Sequence, residues 1–349
     1  MNVQLALWQW IVVFVASAAV IMLAGTFLAR AGDSIATRTR LGGLFVGMLL
    51  MASATSLPEI VTDVSAALAG APDLAVADLF GSSMANMAIL GLLDLTSRRN
   101  VWPGIELGHA RVGAIAITLT ALIVLGVISP TGIRIGWLGI EPIVVVVAYV
   151  AAAAWIGRSE PAPPQAGAEA APADGVDELL TPIGWAAGEG SLRRDLVTFG
   201  LAAVAILVSG PSLAISAQGI AEETGVAQTF IGITLLAVAT SLPELVASLA
   251  AIRIGAHDLA VGNLFGSNAF NMTIVLWVDL AYTDGPVLDA ISIGQMVPGI
   301  GAILMMALAI GAIVSGTGTR LRRGEPDAVL LILAYFGLLA LSWIGVSSV

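Results

Sequence analysis

Residues 50–95 of this chain recur, without a gap, as residues 235–280, at a constant offset of 185 and with identical residues at 25 of the 46 positions. The two lines are LMASATSLPEIVTDVSAALAGAPDLAVADLFGSSMANMAILGLLDL and LLAVATSLPELVASLAAIRIGAHDLAVGNLFGSNAFNMTIVLWVDL. Each copy sets a proline and a glutamate, Pro58 with Glu59 and Pro243 with Glu244, inside an apolar run. The chain is 58% apolar and 11% charged, too apolar for a soluble domain to bury. Several of its runs reach the roughly 20 residues that a helix needs to cross about 30 Å of hydrocarbon. The fold class expected is an all-α polytopic membrane protein whose partner is the lipid bilayer.

Ten spans are predicted, near residues 8–29, 43–69, 74–95, 112–128, 134–156, 196–217, 229–253, 258–281, 290–314 and 327–347. With loops numbered alternately, thirteen of the fourteen arginines fall on one side and only Arg134 on the other. That asymmetry marks the cytoplasmic side and predicts a multi-pass protein of the cell (inner) membrane with both termini extracytoplasmic. The first 23 residues, which lack a basic n-region, read as the first span rather than a cleaved leader. Residues 158–194, rich in Pro, Ala, Gly and acid, are expected to form a cytoplasmic linker, disordered in its first half. The linker divides a first repeat, 1–157, from a second, 195–349. Five spans per half is an odd number, so the second half enters from the opposite side. The result is an inverted-topology repeat, an arrangement common among secondary transporters.

The duplicated residues say what the repeat is for. A proline has no N–H and its ring clashes with the carbonyl four residues back, so each helix is expected to bend there and to loosen backbone carbonyls. At membrane depth such carbonyls are tolerated only where they line a cavity or bind something. Thr55, Ser56 and Glu59 share one helix face by their spacing, as do Thr240, Ser241 and Glu244. On the following span Ser82 and Asn86 are one turn apart, and so are Ser267 and Asn271. Brought together, the two copies make an all-oxygen cage that suits Ca²⁺, or Na⁺ with the same donors, and offers nothing to zinc or copper. Serine and asparagine in membrane helices also act as helix–helix glue, and Gly81 and Gly266 are expected to permit close packing.

Two buried carboxylates are costly unless cations or protons neutralise them, so a carrier built this way should resist changing its facing without cargo. Asp63 and Asp78 have the neutral counterparts Ser248 and Asn263. They are expected either to form an acidic outer vestibule or to be solvated carboxylates at the interface. Asp94 and Asp279, at span ends, are expected to be solvated. With no Cys, no Lys and only His109 and His257, both near loops, the chain lacks the means for thiolate or serine-type catalysis. A net charge of −10 gives no basic stripe for nucleic acid. A carrier without a cofactor, not an enzyme, is expected.

The motifs ATSLPE, at residues 54–59 and 239–244, and GSSMAN and GSNAFN, at 81–86 and 266–271, resemble those of the Ca²⁺/cation antiporter superfamily, in particular its prokaryotic sodium/calcium exchangers. The resemblance implies ten helices, with helices 2, 3, 7 and 8 around the ion site and helices 1 and 6 sliding between inward- and outward-open states. It carries over Thr55, Ser56, Glu59, Ser82 and Asn86 from the first half as ligands, and Thr240, Ser241, Glu244, Ser267 and Asn271 from the second. This chain departs from the pattern in one place. Well-known sodium/calcium exchangers have an aspartate where Asn271 stands, so two carboxylates rather than three are expected in the site. Exchange of Ca²⁺ for Na⁺ is the expected activity, with Ca²⁺/H⁺ antiport as the alternative and a passive cation channel as a remote one.

Overall fold

Long apolar runs dictate helices, because a helix satisfies every backbone N–H and C=O within itself. The computed structural model describes residues 5–39, 55–97, 101–102, 105–159, 191–253, 256–315 and 326–347. In chain order its helices are α1 (Leu7–Thr39), α2 (Leu57–Leu68), α3 (Pro72–Thr96), α4 (Leu107–Ile128), α5 (Ile140–Ser159) and α6 (Leu192–Thr224). They continue with α7 (Gln228–Thr240), α8 (Leu242–Arg253), α9 (His257–Asn271), α10 (Ile274–Ala281), α11 (Val287–Ala290), α12 (Met296–Ser315) and α13 (Pro326–Ser347). Among the described residues seven helical stretches are long and apolar enough to cross a membrane, and α7 with α8 makes an eighth if the bent pair is one span. α5 is a shorter apolar helix over Ile140–Ile156. The first part of the expected span at 43–69, residues 43–54, and residues 160–190 of the expected linker lie outside the described residues.

Two expected boundaries move. The span placed at 134–156 begins only at Ile140, because Arg134–Ile135 pairs with Leu138–Gly139 in a short antiparallel hairpin. Gly136 turns it at φ 66°, a left-handed backbone that glycine adopts without steric cost. The ninth apolar run is preceded by α11 and a 3₁₀ turn at Ile293–Gln295, so its α-helix starts at Met296 rather than 290.

α3 and the α9–α10 pair are the core. Their apolar windows are 83% and 67% buried, against 50% or less for the other five. The outer helices instead expose apolar side chains, among them Val147, Leu201, Val208 and Phe336, as a surface in contact with lipid tails requires.

The buried aspartates at the ends of the core helices tie down the loops. Asp94 accepts from Val101 N (2.9 Å) and Trp102 Nε1 (2.8 Å), and its counterpart Asp279 accepts from Gly139 N (2.8 Å) and Val287 N (2.6 Å). At the opposite helix ends, Asp73 accepts from Ser292 N (2.8 Å) and Gln295 Nε2 (3.2 Å). Asp258 accepts from Glu106 N (2.9 Å), with His109 Nε2 at 3.2 Å. Asp94 and Asp279 are therefore not solvated as expected: they are 3% and 0% exposed, because a helix end buried under a loop needs an acceptor for that loop's N–H groups. The ties also fix direction. Residues 287–295 link Asp279 to Asp73 at one end, and residues 101–109 link Asp94 to Asp258 at the other, so α3 runs antiparallel to α9–α10.

α3 meets α7 at very close range. A Cβ on Gly81 would stand 2.6 Å from Ile233 Cα, and one on Gly232 would stand 2.8 Å from the Leu74 carbonyl. The facing stretch of α7, Gly232–Leu236, is wound as a π-turn, a local distortion frequent at functional sites. Gly266, by contrast, faces open space: a Cβ there would meet no neighbouring atom within 4 Å, so the expected close packing holds for Gly81 alone. Gly81→Ala should lower the thermal unfolding midpoint in detergent through an overpacking cost of about 1–3 kcal/mol, whereas Gly266→Ala should leave it unchanged or raised. Differential scanning fluorimetry of the two variants checks this.

Candidate cation-binding site

The helix breaks occur where the prolines require them. α7 ends at Thr240 and α8 starts at Leu242, with an axis change of 46°, and Ser241 sits between them. Ser241 N still reaches the Ala237 carbonyl at 3.1 Å and Leu245 N reaches the Ser241 carbonyl at 3.1 Å. What is lost is the N–H that Pro243 cannot offer to Ala239. The first copy matches it: Ile60 N reaches the Ser56 carbonyl at 3.1 Å, and Pro58 lies in the first turn of α2. Gly25 of α1 lies against this part of the bundle, since a Cβ there would stand 2.5 Å from Pro243 Cγ and 3.8 Å from Pro58 Cγ. Its counterpart in α6, Gly210, approaches Val61 in the same way (2.6 Å).

All ten expected ligands, Thr55, Ser56, Glu59, Ser82, Asn86, Thr240, Ser241, Glu244, Ser267 and Asn271, are 0% exposed. Hydroxyls from opposite halves of the chain meet in pairs: Thr55 with Ser267 at 3.4 Å and Ser82 with Thr240 at 3.3 Å. Ser267 Oγ also donates to Glu244 Oε1 (3.4 Å), and the Thr55 hydroxyl bonds the same carboxylate. Glu59 and Glu244 are close enough for their charges to interact. The fold therefore brings both motif copies to one buried place.

Seven oxygens of these residues have no hydrogen-bond donor among the described residues: Ser56 Oγ, both of Glu59, Asn86 Oδ1, Ser241 Oγ, Glu244 Oε2 and Asn271 Oδ1. A buried polar atom without a partner costs about 1–3 kcal/mol, and more if charged. No arginine or histidine is buried among the described residues, so no side chain supplies the missing positive charge. Carboxylate, hydroxyl and amide oxygens in that number match a hard cation that takes six to eight oxygen ligands. No three acidic or histidine side chains converge as a metal-binding group among the described residues. The donors are accordingly mixed, two carboxylates with neutral oxygens.

Three residues that were not expected there lie beside the expected ligands. Asn268 Oδ1 accepts from Asn86 Nδ2 (2.8 Å), and Asn268 Nδ2 donates to the Ser83 carbonyl (3.3 Å). With its N–H₂ held this way, Asn86 keeps its buried Oδ1 without a donor among the described residues. Asn271 has no such holder among the described residues. The other two are Asp63 and Asp78, both 0% exposed, so neither is a solvated carboxylate at the interface in this structure. Asp78 accepts from the Thr240 hydroxyl at 3.2 Å, so it adjoins the cage. The signal was present in the alignment: Asn268, Asp63 and Asp78 all fall where the two copies differ.

A family model described as Sodium/calcium exchanger protein matches residues 9–157 and 195–344. The chain is 30% identical to CaxA of Alkalimonas amylolytica over 312 residues, which is 87% of this chain and 89% of that one. It is also 30% identical, over 149 residues covering 42% of this chain and 41% of that one, to the sodium/calcium exchanger MaX1 of Methanosarcina acetivorans. In fold it is similar to the sodium-calcium exchanger NCX_Mj, with a TM-score of 0.61 and 20% identity over 96% of this chain and 99% of that one.

Asn268→Ala should cost about 1–3 kcal/mol of stability by leaving Asn86 Nδ2 without its acceptor. It should also raise the half-saturating Ca²⁺ concentration about tenfold by letting the Asn86 amide turn, a change worth about 1.4 kcal/mol. Unfolding in detergent and ⁴⁵Ca²⁺ uptake into vesicles measure the two effects separately.

Proposed function

This chain belongs to the sodium/calcium exchanger protein family, and on that premise we propose that it exchanges Ca²⁺ for Na⁺ across the cell membrane, using a buried site centred on Glu59 and Glu244. It is a multi-pass membrane protein of an antiporter family; the counter-ion, the site and the sidedness are what is proposed. The observation that carries the reading is the set of buried oxygens without donors, drawn from both motif copies.

In this reading ten spans form two inverted halves of five. Eight come from the helices and the bent pair given above, and α5 and the span ending in α2 complete the count. The antiparallel course of α3 and α9–α10 supports the inversion. Both termini face outward, and the segment between the halves is cytoplasmic. α1 and α6, each 33 residues and so about 50 Å long at 1.5 Å per residue, pack along each other. Through Gly25 and Gly210 they lie over the broken helices, where a slide would uncover the site from one side or the other.

Exchange follows from electrostatics. Each ionised carboxylate kept from water costs several kcal/mol. With no buried basic residue among the described residues to offset that cost, the empty site must not pass through its closed form. Only a loaded site crosses, which couples the two ion movements and separates a carrier from a channel or an enzyme. Na⁺ is favoured over H⁺ as counter-ion because Ser56, Ser241, Asn86 and Asn271 add neutral oxygens. A proton needs the carboxylates alone, whereas a metal ion uses the whole set.

Reconstituted in proteoliposomes at clamped voltage, the protein should take up ⁴⁵Ca²⁺ when an outward Na⁺ gradient is imposed and not when only a pH gradient is. Uptake that follows pH alone would establish Ca²⁺/H⁺ antiport, and downhill flux with no trans ion would establish a channel. Glu59→Gln and Glu244→Gln should each reduce exchange by about 100-fold or more while the protein stays monodisperse; near-normal flux in either would remove the glutamates from the site. Asn271→Asp adds a third carboxylate and should change the Na⁺ dependence of uptake, and an unaltered Na⁺ titration would show that Asn271 is not a ligand.

A further inference from the structure

The two halves hold different pairs at one structurally equivalent place. In the second half Asn263 Nδ2 donates to Ser248 Oγ at 3.1 Å, a neutral hydrogen bond between α9 and α8. In the first half the aligned residues are Asp78 on α3 and Asp63 on α2, whose carboxyls face each other within bonding reach. Both are fully buried. Neither oxygen of Asp63 receives a hydrogen bond from any N–H or O–H among the described residues. Asp78 takes one donor, the Thr240 hydroxyl, which lies 3.2 Å from Oδ1 and 3.4 Å from Oδ2.

Two carboxylates offer only acceptors to each other, and their mutual repulsion is strong where water is excluded. The second half shows that this packing accepts a neutral Ser–Asn pair, so a charged pair is not forced by the fold. Some positive species must therefore lie between them. We propose that Asp63, Asp78 and Thr240 form a second cation subsite, present in the first half only, that binds a hard, oxygen-seeking metal ion beside the glutamate cage. The donor set is all oxygen and carries two negative charges, which one divalent ion neutralises, so Ca²⁺ is the expected occupant and Na⁺ the other hard cation to test. The subsite adjoins the cage through Thr240, which Ser82 also approaches at 3.3 Å. It rests on the exchanger reading only in sharing that threonine. A chain so equipped holds two cations at once, one in each compartment of a single buried chamber.

The test is equilibrium binding of ⁴⁵Ca²⁺, and in parallel of ²²Na⁺, to the purified full-length protein in detergent. The double variant Glu59→Gln with Glu244→Gln should keep about one bound ion per chain, and adding Asp63→Ser with Asp78→Asn should abolish it. In the otherwise unaltered protein, Asp63→Ser with Asp78→Asn should reduce binding from about two ions to about one. Because these substitutions copy the second half's own pair, the folded state should survive them, which size-exclusion chromatography and the unfolding midpoint verify. If the glutamate variant binds neither ion above background, or the residual ion persists without the aspartates, the subsite does not exist and the pair holds only a proton. Exchange measured on the glutamate variant separates the two ideas: retained exchange overturns the cage, whatever the aspartates bind.

Discussion

Four carboxylates, those of Glu59, Asp63, Asp78 and Glu244, are shut inside a bundle that buries no arginine or histidine among the described residues. The sequence contains no lysine at all. In a low-dielectric interior any negative charge on them is met by no basic side chain among the described residues. Much else about the structure serves that condition. The broken helices deliver hydroxyls and carboxylates from two directions, α3 and α9 carry the amides, and the apolar outer helices keep water and lipid headgroups away. In the exchanger reading proposed above, a cation would be part of the stability of the closed form as well as its cargo, which would couple conformation to ion occupancy.

The symmetry between the halves covers the loop ties and the ten expected ligands, which are identical in pairs, and fails at a few residues beside those ligands. Asp73 and Asp258 tie down equivalent loops, as do Asp94 and Asp279. Gly25 and Gly210 let equivalent long helices approach the breaks. These are devices for building the same bundle twice. Within the chamber the copies diverge: Asn268 orients Asn86, while its counterpart Ser83 bonds back to the Leu79 carbonyl of its own helix. The aspartate pair faces the threonine of the opposite half with no acidic equivalent across the axis.

Close backbone approach is the other physical theme. Gly81 and Gly232 bring α3 against a π-wound stretch of α7 without room for a methyl group. That contact sets Ser82 beside Thr240, and through Thr240 it sets Asp78 against the cage. Steric fit, rather than any polar interaction, fixes the spacing between the donors of the two copies.

Much of this protein was legible in the sequence because its determinants are periodic or local. Apolar run length requires helices, the proline requires a break one turn from Ala239, and the constant offset of 185 pairs each residue of one motif with its partner in the other. The ten expected ligands could be named from the spacing of the repeated motifs, and all of them are buried, with Thr55 meeting Ser267 and Ser82 meeting Thr240. Tertiary structure decided what depends on which helix lies next to which. Asp94 and Asp279, at span ends, read as solvated until the loops of residues 101–102 and 287 folded over them. Asp63 and Asp78 sit one turn from the motif on each helix, and nothing in a linear pattern tells a turn that points to the membrane surface from one that points to a neighbouring helix. Their burial, their mutual approach and the Thr240 hydrogen bond exist only because α2, α3 and α7 pack at short range. Composition and period determine which segments enter the membrane, and the close packing of unlike helices determines which polar side chains lose their water there.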